Sequence, residues 1–313
     1  MDKNFQYKGD WFLPDQPEKR FKGILSYDSA EGASLELFGI FPTQLFDLPI
    51  ILGITTDSKE VTLYKNFLRH SGGETLRTGK EVGQPMSLYT TNYILEGHHF
   101  EKEEDLRFDE LKAEVFNLDE WVGYSGFKLP EDMMAQDNGL QLAYELPKQI
   151  DFPINDLLTG QFNFVANRPS RHIYMKEVAI KQRVQLRLSA KEPMDFLTAL
   201  DNYFTFQNFL TLSLHQGTYP TNIWLYSNAI LDEFYNPPKR VPITLHFAIR
   251  KQSAIKIVDW PDMLFPYRSF QKDFPAIISK WYKNRYELEP VNNLIFEQYY
   301  TTSASNQNAF LNL

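Results

Sequence analysis

Arg240 and His246 form an R-x5-H pattern, a spacing at which both side chains can reach one phosphodiester if they share a helix. The residues between them are Val241-Pro242-Ile243-Thr244-Leu245. Proline and β-branched residues favour a strand there. Six residues of strand span about 20 Å, against about 9 Å on a helix. The two side chains then cannot serve one phosphate, and the pattern reads as chance. His98 and His99 lie between Glu96 and Glu101, a set of types that could bind zinc or iron. Adjacent strand residues point to opposite faces, so the pair cannot face one ion. His215 falls at a predicted helix end, where an imidazole favours the dipole. Val122-Gly123-Tyr124-Ser125-Gly126 has its glycines at the wrong spacing for a nucleophile elbow. There is no P-loop and no dinucleotide fingerprint. The acid-rich stretch Glu96–Glu120 could hide a paired-carboxylate site, but it equally describes a solvated acidic surface. These residues assign no catalytic group, no cofactor and no metal.

Two stretches are candidates for binding. In Asn117-Leu118-Asp119-Glu120-Trp121-Val122-Gly123-Tyr124-Ser125-Gly126-Phe127, the residues Trp121, Gly123, Tyr124 and Gly126 could form an aromatic ligand platform. They could equally form a tight corner, with glycines for the bend and Trp121 in the core; the corner is the preferred reading. The stretch Arg168–Lys191 is basic, and Arg168, Arg171, Lys181 and Arg183 are its candidates for weak, salt-sensitive nucleic-acid contact. A second basic stretch, Lys239–Lys256, contains no acid. The blander reading of both is a solvated face.

The elements that must position these residues are strands first and helices later. Period-2 alternation runs through Ser34–Phe41, Glu60–Tyr64, Leu140–Leu146 and Arg183–Ser189. Such runs predict antiparallel strands with one wet face. Further strands are expected near 49–55, 87–99, 107–118 and 161–167. Turn residues at Tyr27–Gly32, Thr56–Lys59 and Ser71–Gly73 separate them. The pattern changes at Pro193. Helical spacing follows over Pro193–Gln216, with Pro193 in its first turn and Gly217 as its stop. Strands are predicted at Ile223–Tyr226 and Ile243–Ile249, and a helix at Phe274–Glu289 stopped by Pro290. The fold class expected is β-rich α+β: an antiparallel β-sandwich over 1–190, an α+β unit over 191–290, and the start of another domain over 291–313.

Composition sets the outer limits. The chain has 313 residues, 43% hydrophobic and 23% charged, with a net charge of −8. Its first half is acidic and its second mildly basic. Cysteine is absent, which excludes disulfides, thiolate metal sites and cysteine nucleophiles within this sequence. No run of 18 apolar residues predicts a membrane span, and Met1–Trp11 has no apolar leader. A cytoplasmic location is expected. The apolar ending Phe310-Leu311-Asn312-Leu313 reads as the start of a helix and of a truncated domain.

Several short stretches, in order, resemble the N-terminal domain of ApeA-like proteins. They are Phe21–Asp28, Leu35–Gly39, Ile51–Asp57, Val61–Tyr64, Thr91–Tyr93 with Gly97–Phe100, and the Asn117–Phe127 stretch. Trp281, Leu288–Val291 and Phe310–Leu313 resemble the lead-in to that family's C-terminal HEPN domain. The resemblance implies a non-catalytic sensing or regulatory region of an antiphage, abortive-infection ribonuclease. It implies a HEPN domain in the same polypeptide as partner, a phage-derived trigger, and catalytic residues in helices beyond Leu313. A stand-alone ligand-binding sandwich, for example a glycan binder, is the alternative.

Overall fold

Alternation over the first hundred residues becomes six antiparallel strands: β1 (Phe5–Phe12), β2 (Phe21–Asp28), β3 (Gly32–Leu37), β4 (Asp47–Thr55), β5 (Glu60–Gly72) and β6 (Met86–Glu96). The computed structural model describes residues 4–43, 45–72, 85–128, 142–167, 178–249 and 256–300. After β6 come β7 (Arg107–Val115), α1 (Leu118–Val122), β8 (Ile150–Pro153), β9 (Leu158–Ala166), β10 (Gln182–Asp195) and α2 (Phe196–Leu214). The chain continues with β11 (Pro220–Tyr226), β12 (Ile243–His246), α3 (Phe274–Lys283) and α4 (Glu289–Tyr300). It divides into two compact units, each assembled from three stretches. The first comprises 1–111, 192–201 and 222–251; the second comprises 112–191, 202–221 and 252–313. Among the described residues, no helix is long and apolar enough to cross a membrane.

The first unit is a closed barrel, where the sequence predicts a sandwich. β1 pairs with β2, β2 with β3, β3 with β6, β6 with β5, β5 with β4, and β4 returns to β1. Alternation says that one face of a sheet is buried. It does not say whether that face meets a second sheet or its own other end. Closure removes the free edges that a flat sheet must protect. Inside lie Trp11, Leu25, Leu35, Leu37, Leu63 and Ile94, all without exposure. Two glycines make room for the indole. A Cβ on Gly53 would lie 2.3 Å from the Trp11 ring, and one on Gly23 would lie 2.9 Å from its Cδ1. β12 pairs with the far end of β6, with His246 opposite Ile94 and Thr244 opposite Glu96.

The second unit contains an antiparallel meander, β8–β9–β10, packed with helices. Phe162, Leu186 and Leu188 are fully buried, as are Phe206 of α2 and Phe274 and Ile278 of α3. Each such side chain contributes roughly 1.5–3 kcal/mol by leaving water. Trp281 Nε1 donates to Thr205 O at 2.8 Å and Tyr282 Oη to Asn202 O at 2.7 Å, which fixes α3 against α2.

Several element ends differ from expectation. Pro193 lies inside β10, three residues before α2, and Asp195 caps the helix instead. Its carboxylate accepts from the Thr198 amide at 3.0 Å and the Thr198 hydroxyl at 2.7 Å. At the other end His215, with φ 52°, takes the left-handed position, not Gly217. Pro290 does not stop a helix but lies in the first turn of α4, where its missing N–H costs nothing. The Leu140–Leu146 alternation yields only a two-residue pairing of Ala143–Tyr144 with Phe127–Lys128; Leu140 and Gln141 lie outside the described residues. Leu142 and Leu146 remain exposed, so that alternation buries no face.

Candidate functional site

The Asn117–Phe127 stretch forms a node in the second unit. Asn117 enters with φ 65°, α1 makes little more than one turn, and Gly123 leaves with φ 69°, a left-handed value that glycine adopts freely. This brings Trp121 inward. Its ring is fully enclosed, with Tyr267, Phe162 and Phe274 at centroid distances of 5.5, 5.8 and 5.9 Å. Its Nε1 donates to Phe265 O at 3.0 Å. Tyr124 is half-buried. Its Oη donates to Gln271 Oε1 at 2.6 Å, and the Arg268 guanidinium lies 4.6 Å from its ring centre. Gly126 serves a close approach: a Cβ there would lie 2.2 Å from Glu145 O. Gln182 joins the bend to β10, accepting from the Gly126 amide at 2.8 Å and donating to Tyr124 O at 2.7 Å.

Asp119 is the titratable group of this node. Burial pushes its carboxyl up to about 6, against the relief given by the Val184 amide that donates to it. Arg183 stands near, but its guanidinium is engaged by Glu114 at 2.9 Å. Gln185 donates to the other Glu114 oxygen at 3.0 Å. Lys181 is exposed at the head of β10 and makes no ion pair among the described residues. Arg168 and Arg171 lie outside the described residues.

Arg240 and His246 go to different carboxylates. Arg240 meets buried Glu110 at 2.9 Å, and His246 Nε2 stands 3.7 Å from Glu96 Oε2. His98 and His99 also part. His98 Nδ1 is 3.9 Å from Glu60, while His99 Nε2 is 2.8 Å from Gly53 O. Among the described residues no group of three or more His, Asp and Glu is placed to hold a metal.

Sequence reasoning missed a cluster in the first unit. Tyr7 Oη donates to Glu96 Oε2 at 2.8 Å, and Lys59 Nζ donates to Glu96 Oε1 at 2.6 Å and to Tyr7 Oη at 3.2 Å. The His246 imidazole packs edge-on to Phe5, ring centres 5.0 Å apart. His246, Lys59 and Tyr7 together hold the Glu96 carboxyl down at about 2, against the upward pull of burial. Each residue comes from a different strand or turn, so no local spacing marks the set. Also unmarked is an outer-face trough of about 760 Å³. Gln6, Ser26, Ser34 and Thr90 line it as successive cross-strand partners on β1, β2, β3 and β6.

A family model described as ApeA N-terminal domain 1 matches residues 6–281. No curated protein and no solved structure matches the chain.

Proposed function

The chain belongs to the ApeA N-terminal domain 1 family of antiphage defence proteins, and from that membership we propose that it is a sensing or restraining region rather than a nuclease. The match across residues 6–281 carries this reading. In it, a HEPN domain later in the same polypeptide does the cutting, and a phage-derived molecule releases it. The positions of Arg240 and His246 support the division of labour, because each is directed to its own carboxylate. Exposed Lys181 and the Glu114-bound Arg183 support at most a weak, salt-sensitive contact with nucleic acid.

The test uses purified 1–313 and the full-length polypeptide side by side on total tRNA, with phage plaque counts in cells expressing each. Cleavage and protection are expected from the full-length polypeptide alone. Cleavage by 1–313 that disappears in His246→Ala would overturn the proposal.

A further inference from the structure

Residues 256–265 of the second unit form an apolar platform with a firm underside. They run across the C-terminal end of α2, where Gln216 Nε2 donates to Lys256 O at 2.7 Å. The Leu264 and Phe265 amides both donate to Ser213 O, at 3.0 and 3.3 Å. Val258 and Met263 turn inward and are buried. Ile257, Trp260 and Leu264 turn outward and are 60%, 61% and 55% exposed. A 3-10 turn at Trp260–Asp262, with Pro261 inside it, holds the indole outward. Little conformational freedom is left to lose when a partner covers it. Asp259 and Asp262 flank the indole, both exposed, and neither makes an ion pair among the described residues. An exposed tryptophan on a stiff turn between two free carboxylates is a poor solvent-facing surface and a good anchor.

The same end of α2 grips the last described turn of the chain. Tyr299 Oη hydrogen-bonds with His215 Nδ1 at 2.8 Å. A Cβ on Gly217 would lie 2.7 Å from Tyr299 O, so α4 approaches the α2 terminus backbone to backbone. Gln207 Nε2 donates to Tyr300 Oη at 3.1 Å. The described chain therefore ends beside His215 and Gly217, the corner on which the platform is mounted.

We infer that the Ile257–Leu264 platform docks the domain that follows Tyr300 in the same polypeptide, through an apolar pocket with a basic rim that takes Trp260 between Asp259 and Asp262. This rests on the proposed reading that an effector domain follows. Tethering is what favours that occupant. A domain on the same polypeptide meets the platform at an effective concentration set by its linker, up to the millimolar range for a short one, so a small patch suffices. A second copy or a free protein would need roughly 1,200–2,000 Å² of buried surface, more than three side chains supply.

The test places one photo-reactive group on the platform of the full-length polypeptide. Residues 1–313 contain no cysteine, so Asp262→Cys labelled with a benzophenone maleimide marks this position within them. After illumination, mass spectrometry maps the cross-links. Intramolecular cross-links to residues beyond 300 are expected, falling at least fivefold when Trp260→Ala and Leu264→Ser are added. The melting temperature should hold, because both side chains are exposed. Cross-links to a second copy, or only to residues before 300, or none, overturn the docking while leaving the regulatory reading intact. Cross-links as expected, with phage protection unchanged by Trp260→Ala, support the docking and sink the regulatory reading.

Discussion

The two units treat a half-buried carboxylate in opposite ways. In the barrel unit Glu96 is surrounded by His246, Lys59 and Tyr7, and its carboxyl is held at about 2. In the second unit Asp119 accepts from the Val184 amide, and burial pushes its carboxyl to about 6. Both lie in the acid-rich stretch Glu96–Glu120. The difference lies in what the chain brings alongside. A barrel gathers side chains from several strands around one mouth and can assemble counter-charges. The second unit gathers Phe162, Phe206 and Phe274 around Trp121, and Arg183, which lies near Asp119, is taken by Glu114. A shifted carboxyl therefore reports local packing here, in opposite directions, before it reports chemistry.

The aromatic side of this contrast should show the largest effect. Trp121→Ala removes a wholly enclosed ring and its hydrogen bond to Phe265. Such truncations cost roughly 3–5 kcal/mol. That is a large share of the roughly 5–15 kcal/mol that holds a domain together. A clear drop in the thermal midpoint, or insolubility, is expected. An unchanged melt would mean that the ring is not part of the core.

The electrostatic halves should follow with opposite signs. Asp119 is raised above the usual value near 3.8, so its folded form favours the proton. Its contribution is fully present below pH 3.8 and is lost as pH rises through about 6. The loss is on the order of 3 kcal/mol at most. Asp119→Asn keeps an acceptor for the Val184 amide and removes the charge. It should stabilise the protein at pH 7.5 by about 1–3 kcal/mol and flatten the stability curve between pH 4 and 6, read from urea midpoints. Glu96 is lowered from the usual 4.5 to about 2. Its contribution is present above pH 4.5 and is lost as pH falls through 2. Glu96 keeps partial solvent contact, so screening reduces its worth to roughly 1–2 kcal/mol. Glu96→Gln should destabilise by that amount at pH 7 and by much less near pH 2. If the two variants shift stability in the same direction at pH 7.5, the contrast is gone.

Much of the barrel was legible before the structure, and the reason is physical. Ser34–Leu37 carries inward residues at every second position, and alternation reads that directly, whereas the alternation at Glu60–Tyr64 finds a strand whose Val61–Tyr64 are all buried. Closure was not legible, because alternation is the same in a barrel and a sandwich. Gly53 answers to the Trp11 ring, whereas Gly23 answers to Glu36 O and Leu37 as well as to that ring. The Trp121 node was visible as aromatic residues between glycines, since its bend is local. The Glu96 cluster was not, since Tyr7, Lys59 and His246 meet only through strand pairing. Pro193 and Pro290 misled for one reason. A proline marks a change of backbone state, and it can stand at the end of a strand or the start of a helix as well as at a stop.

The smallest effect concerns why Asp119 stays without a counter-ion. Arg183 lowers its carboxyl a little and Glu114 raises it a little, and the two are bound to each other at 2.9 Å. Glu114→Gln should therefore act on Asp119 twice. It removes a nearby negative charge, and it frees the Arg183 guanidinium to turn towards Asp119. Both changes favour the ionised form, so the Asp119 titration should move down, by roughly a few tenths of a unit to one unit. The stability lost between pH 4 and 6 should shrink in step. Carboxyl-detected NMR titration of Asp119 in wild type and Glu114→Gln reads this directly. A titration that stays at about 6 would show that burial alone sets it, and that no rearrangement of charge in this unit can reproduce the environment of Glu96.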